Sequence, residues 1–198
     1  MQVADAYRIV EDVALDDPGI FYGSATDLAL GAGLIVAPVD FPSYSPAEDR
    51  FVVWGGPVLV LSHECDLNQD NKRLLNDLAL VCPVRRLDSV VELAEEQGYS
   101  DNALTTFLGN LGRRRVSRAV YLPPLPEVLP FGGFLYLNQF SHTSVKRLAD
   151  ESVAPVAALT AYAMQSVDYA LAGHLFRDKS DRLPHSNTAL RRGISIKG

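Results

Sequence analysis

Cysteine is scarce in this chain: two residues, Cys65 and Cys82, among 198. One bridge is the most they allow. If the apolar runs that carry them form a hairpin, Cys82 falls opposite the start of the first run near Val58 while Cys65 lies past its end, so no disulfide is expected. Long apolar runs are also missing, none approaching the roughly 18 residues that span a bilayer. The opening Met-Gln-Val-Ala-Asp-Ala lacks the basic start and apolar stretch of a signal peptide. These absences predict a cytoplasmic protein with no membrane partner. Nor is there an excess of cations: the formal net charge is −6, which excludes a general pull toward nucleic acid and confines any such binding to a local basic surface. Two clusters qualify, Arg113, Arg114, Arg115 with Arg118, and the terminal Arg191, Arg192 and Lys197. Internal repeats are absent, and no second Cys/His pair at short spacing accompanies His63 and Cys65.

The length suits one domain, and an apolar fraction of 47% can fill a core. Turn residues Asp16-Asp-Pro-Gly19 close a short acidic helix over 1–15 with Tyr7, Val10 and Val13 on its apolar side. A strand is predicted over Gly33-Leu-Ile-Val-Ala-Pro-Val-Asp-Phe41, then a loop at Pro42-Ser-Tyr-Ser-Pro46, then a short strand Phe51–Trp54. The runs Gly56-Pro-Val-Leu-Val-Leu-Ser-His-Glu-Cys-Asp66 and Asp77-Leu-Ala-Leu-Val-Cys-Pro-Val-Arg85 read as paired strands joined by a connection holding Asn68, Asn71 and Asn76. Ser89-Val-Val-Glu92 matches a capping box and starts a helix to about Gln97; a second helix over Ser100–Leu111 stops at Gly112. Strands return at Val120–Leu122 and Gly133–Phe140. A helix is predicted over 152–176, with Val153, Val156, Ala157, Leu159, Ala163, Val167, Ala170 and Leu171 on one apolar face and Pro155 in its first turn. Its breadth leaves room for a homodimer contact. One domain over 1–178, with a helical insert at 88–118, precedes a polar tail at 179–198, read as mobile.

The order of these segments resembles the MazF/PemK family, small toxins that are mostly ribonucleases on an SH3-like barrel. The opening strand, the pair 56–62 and 80–84, and above all Leu135-Tyr-Leu-Asn-Gln-Phe-Ser-His-Thr-Ser-Val-Lys-Arg-Leu148 carry the likeness. In that last block Gln139 is followed eight residues on by Arg147-Leu148, the family's spacing, and a terminal helix comes after. The resemblance covers about 33–85 and 129–176. It implies a mainly β fold with α, a small antiparallel SH3-like barrel elaborated by a helical insert and packed by a C-terminal helix. It also implies single-stranded RNA as ligand and an antitoxin-like protein as partner. Two positions depart from it. Gly56 stands where the toxins have an arginine, and Arg85 where they have a threonine, both of which serve RNA cleavage.

The residues themselves admit several chemistries. On a strand, His63 and Cys65 point to one face and Glu64 and Asp66 to the other. Ser62, His63 and Asp66 can simply bond the turn while Cys65 fills a small apolar site. They can also serve RNA cleavage, with His63 and His142 as base and acid and Arg85, Arg50 or Arg147 stabilising phosphate. A metal site would use His63, Cys65 and Asp66 or His142, and a thiol nucleophile would pair Cys65 with His63. Neither metal nor cofactor is expected. The reading these observations favour is a divergent RNA-cleaving toxin or defence-related endoribonuclease, with catalytic His63, His142 and Arg85. Its binding residues are Ser62, Cys65, Asp66, Gln139, Arg147, Arg113 and Arg114. The alternative is a non-catalytic nucleic-acid or protein binding module on the same barrel.

Overall fold

The computed structural model describes residues 1–14, 17–24, 29–45, 48–68, 70 and 77–176. Its centre is an antiparallel meander of β2 (Leu34–Ser45), β3 (Arg50–Val60) and β4 (Leu78–Arg86). Neither break expected in it occurs. The β2–β3 register runs through both glycines and through the expected loop, pairing Val39 with Gly56, Phe41 with Trp54 and Pro42 with Val53. Proline costs a strand only the hydrogen bond its missing N–H would make. Pro42 keeps its acceptor role, its carbonyl taking the Ser141 hydroxyl at 2.5 Å. Burial then alternates to the strand's end, with Phe41, Ser43 and Ser45 inward and Pro42 and Tyr44 outward, so pairing and packing override the loop-forming composition.

β4 is shared by three neighbours. Its first half pairs with β7 (Ser141–Ser144) and, around Cys82, with β3; its last residues pair with β6 (Gly133–Tyr136), which pairs in turn with β5 (Ala119–Leu122). On the other flank β8 (Ala154–Leu159) lies between β2 and the two-residue β1 (Tyr22–Gly23). The order is β1-β8-β2-β3-β4-β6-β5, all antiparallel, with β7 branching from β4. The path is open, since β1 and β5 end it without meeting, so the protein is a mixed α/β fold dominated by one antiparallel sheet. The expected strand over 133–140 is divided: β6 stops at Tyr136, Leu137–Gln139 form a 3-10 turn, and β7 starts at Ser141.

The helix expected over 152–176 begins only at Ala161, and residues 154–159 are β8. Ala157, Ala158 and Leu159 are all buried; a continuous apolar run of this length has no period that separates a strand from a helix. What decides is pairing on both edges, Leu34 with Ala158 and Tyr22 with Leu159. Pro155 sits opposite Val36, where the β2–β8 register shifts.

Because strand residues alternate, the sheet supports a core on each side. α7 (Ala161–Phe176) places Ala163 and Val167 against Ile35, Leu59, Cys82, Val84 and Leu137. Val36, Phe41, Val58, Val60 and Val81 pack instead with Val145 and Leu148 of α6 (Val145–Leu148). A third cluster joins α1 (Val3–Glu11), α4 (Leu87–Glu96) and α5 (Asp101–Gly112) to Phe134 and Tyr121 through Val10, Leu87, Val91, Leu104, Leu108 and Leu111. α4 starts two residues before the expected capping box: Arg86 is the N-cap, and the Asp88 carboxylate accepts from the Ser89 amide at 2.8 Å. The helix expected from Ser100 starts at Asp101, and Ser100 is its N-cap, its hydroxyl accepting from the Ala103 amide. Gly112 lies inside the last turn rather than after it. A Cβ there would stand 2.8 Å from the Val10 carbonyl oxygen, so its role is to let α5 approach α1. Among the described residues no helix is long and apolar enough to cross a membrane. The tail at 179–198, the remaining basic cluster it holds, Asn71 and Asn76 all lie outside the described residues.

Candidate functional site

Arg85 is the second-last residue of β4, and alternation puts it on the face opposite Val84. Its Nε and Nη2 donate to Gln139 Oε1 at 3.1 and 2.6 Å, and its guanidinium carbon lies 5.3 Å from the centre of the Trp54 ring. Three segments build this contact: β3 supplies Trp54, β4 Arg85, and the 3-10 turn after β6 brings Gln139 back over the strand end. Arg85 is half-buried, and burial lowers its pKa from the usual guanidinium value; the group stays cationic all the same. No carboxylate faces it among the described residues: its partners are a neutral amide and an indole. A desolvated cation with only neutral partners is incompletely compensated. Among the described residues Arg85 Nη1 and Gln139 Nε2 have no acceptor, and they stand beside an indole that is 45% exposed. The cluster can therefore offer hydrogen bonds to an anion and a flat face to a ring.

The Ser62–Asp66 segment is not the end of a strand. β3 stops at Val60, and His63 caps α3 (Glu64–Leu67), with its Nδ1 accepting from the Cys65 amide at 3.2 Å. His63 is thus the cap and Cys65 the second residue of a helical turn, rather than strand residues sharing a face. The Cys65 amide thereby occupies Nδ1, and Nε2 is the ring nitrogen left for any other partner. Ser62 Oγ accepts from the Leu80 amide at 2.8 Å, which ties this turn to β4. His142 is exposed on β7 directly opposite Leu80. Ser62 and His142 therefore meet the same β4 residue from its two sides, while His63 and Asp66 are exposed in the turn beyond. The cysteines do not pair: Cys65 is exposed and Cys82 buried. Among the described residues no group of three or more His, Cys, Asp or Glu side chains gathers as a metal would require, so His63, Cys65, Asp66 and His142 are not brought together as ligands.

Arg147 keeps its place after Gln139 but turns elsewhere. Its Nη2 pairs with Asp40 Oδ2 at 3.0 Å, and its amide donates to Ser144 Oγ, the N-cap of α6. Arg50 is taken by Glu48. Arg113 closes α5 with a 3.5 Å bond to the Gly109 carbonyl, and Arg114, at φ +55°, lies over Tyr162 at 5.9 Å. Arg113 thus stays on α5, and Arg114 reaches from its end to α7, both apart from Arg85. Of the residues singled out from sequence, the fold joins Arg85 with Gln139 and leaves His63, Arg147 and Arg113 in separate local roles.

What sequence reading missed is the pairing of Trp54 with Arg85 and of Asp40 with Arg147. Both span contacts of distant segments, for which the chain carries no local signal; only the β3–β4 register, with Val58 opposite Pro83, extended two residues, puts Gly56 and the Trp54 side of β3 next to Arg85. No family model matches the chain, and no curated protein matches it.

Proposed function

We propose that this chain is a single-stranded nucleic-acid binding module, RNA being its ligand, whose contact surface is centred on Arg85, Gln139 and Trp54. The observation that carries the reading is the half-buried Arg85 guanidinium held only by a neutral amide and an exposed indole. A phosphate would supply the missing countercharge, and an unstacked base would lie on Trp54; stacking on an aromatic side chain is sequence-tolerant and worth about 1–3 kcal/mol per base. The resemblance to the MazF/PemK family supports the same surface. Gln139 is the residue its spacing singled out, and the β2–β3–β4 meander curls toward β7, whose Ser141 and Thr143 hydroxyls donate to the β2 carbonyls of Pro42 and Asp40. An SH3-like barrel, closed there by side chains rather than by a ladder, is our reading of that curl.

Cleavage is the second reading, and the exposure of His142 beside the Ser62 turn favours it. In that reading His63 is the base and His142 the acid, and the Cys65 amide on His63 Nδ1 leaves Nε2 as the ring nitrogen that would exchange the proton.

Trp54 is the chain's one tryptophan, so its fluorescence reports on the site directly. Titration with a short single-stranded RNA should quench or shift that emission, and Arg85→Ala should weaken binding by about tenfold or more while lowering the salt slope by about one. Unchanged emission and no binding would end the reading. RNA left intact in chelator identifies a binding module; RNA cut by the wild type and spared by His142→Ala identifies a metal-independent ribonuclease.

A further inference from the structure

A second surface lies where α5, β5 and the end of α7 meet, and it is built differently from the first. A cleft of about 650 Å³ opens there, lined among others by Phe107, Asn110, Arg115, Arg118, Asn138 and His174. Its volume is in the range of small-molecule sites. In a chain with net charge −6, the lining holds two arginines and one histidine and no carboxylate. The Arg115 and Arg118 side chains make no ion pair or hydrogen bond among the described residues. His174 Nδ1, shielded from solvent, also lacks a partner there; a buried polar atom of this kind is normally satisfied by protein, water or ligand. At the end of α5, Gly109, Asn110 and Leu111 accept from the amides of Arg113, Arg115 and Arg114, so these carbonyls are engaged within the chain. Phe107 adds an apolar wall, fixed edge-on against Phe134 at 6.1 Å.

We infer that this cleft binds a mononucleotide, its phosphate on Arg115 and Arg118, its ring along Phe107, and its polar edges on Asn110 and Asn138. Cation pair, apolar wall and neutral amides match the three parts of such a ligand, and charge on the lining excludes a cationic one. The site falls within and beside the 88–118 helices, away from Arg85, and does not rest on the RNA reading.

The test is calorimetric titration of the full chain with AMP, and in separate arms with inorganic phosphate, ribose 5-phosphate and adenosine. One AMP should bind per chain, tighter by tenfold or more than phosphate or adenosine alone. Arg115→Gln and Arg118→Gln, both exposed positions, should each weaken AMP by tenfold or more with unchanged thermal melting, and Ala103→Trp, which fills the cleft wall, should abolish it. Arg85→Ala should leave AMP affinity unchanged while reducing RNA binding, which separates the two sites. No AMP binding at millimolar concentration overturns the inference. So does phosphate binding as tightly as AMP, binding that survives both arginine substitutions together, or binding lost with Arg85→Ala.

Discussion

Asn138 and Gln139 are neighbours in one 3-10 turn, yet they serve different surfaces: Asn138 lines the cleft beside Arg118, and Gln139 accepts two hydrogen bonds from Arg85. The turn is anchored between them and the sheet by the Leu137 amide, which donates to the Arg118 carbonyl at 2.8 Å. That backbone bond seats the turn independently of the Gln139–Arg85 contact, so Asn138 keeps its place in the cleft when Arg85 is changed.

Gln139→Leu should separate positioning from charge at the Arg85 cluster. The substitution removes the acceptor of both guanidinium bonds while keeping the volume, and leaves a half-buried cation with the Trp54 ring alone. RNA affinity should fall less than for Arg85→Ala but measurably, by a few-fold, and stability should drop by about 1–3 kcal/mol, the range for stranding a buried hydrogen-bonding group. Denaturant melts and RNA titrations on the same samples check both numbers; a variant as stable as the wild type would mean that the Arg85–Gln139 bonds contribute nothing to folding.

Gly133→Ala should damage the same region from beneath. Gly133 pairs with Arg86 at the β4–β6 junction, and a Cβ there would collide with the Arg85 carbonyl oxygen, a backbone atom that cannot swing away. Forcing the strands apart costs about 1–3 kcal/mol, and the expected result is a lower melting temperature together with weaker RNA binding. Gly56→Ala is the control, since nothing lies within 4 Å of a Cβ at that position.

Thiol labelling should find one fast cysteine in the native protein. Cys65 is exposed, whereas burial pushes the Cys82 thiol up to about 12, so at neutral pH Cys82 is neither ionised nor accessible. Ellman's reagent should therefore release about one equivalent rapidly and the second only on denaturation; two fast equivalents would contradict the packing of Cys82 among Leu59, Val84 and Leu137.

Acid should weaken the start of α4. The Arg86 guanidinium, with help from the Ser89 amide, holds the Asp88 carboxyl below its ordinary value of 3.8. A carboxylate with a lowered folded-state pKa contributes stability that is present above the unfolded value and lost as pH falls through the folded one. Asp88→Asn should thus be less stable than the wild type near neutral pH, and the difference in melting temperature should shrink as pH drops below about 4. A difference that stays constant down to acid pH would remove the charge from the account.

Much of the sheet was legible in the chain. The runs at 34–41, 57–60 and 78–86 are β-rich and apolar enough to demand burial, and their antiparallel pairing followed from the short polar connections between them. The helix over 101–112 was legible from its start near Ser100 to its end at Gly112, because helix boundaries are set by neighbours in sequence, here by the Ser100 hydroxyl on the Ala103 amide. Residues 154–159 defeated the same reasoning: Val-Ala-Ala-Leu satisfies either period, and only hydrogen bonds to β1 and β2, more than a hundred residues earlier, make it a strand.

The chain by itself determined that Gln139, Arg85 and the His63 turn carry the polar groups at the ends of apolar strands, because side-chain chemistry and strand periodicity are properties of neighbours in sequence. Tertiary structure alone decided which of them meet. The Gln139 oxygen reaches Arg85 across 54 residues, Arg147 is drawn to Asp40 across 107, and His63 spends its Nδ1 on a helix cap. Such choices are settled by register, burial and the satisfaction of donors in three dimensions, energies that exist only once the β3–β4–β6 ladder has formed and so have no imprint in any local stretch of the chain.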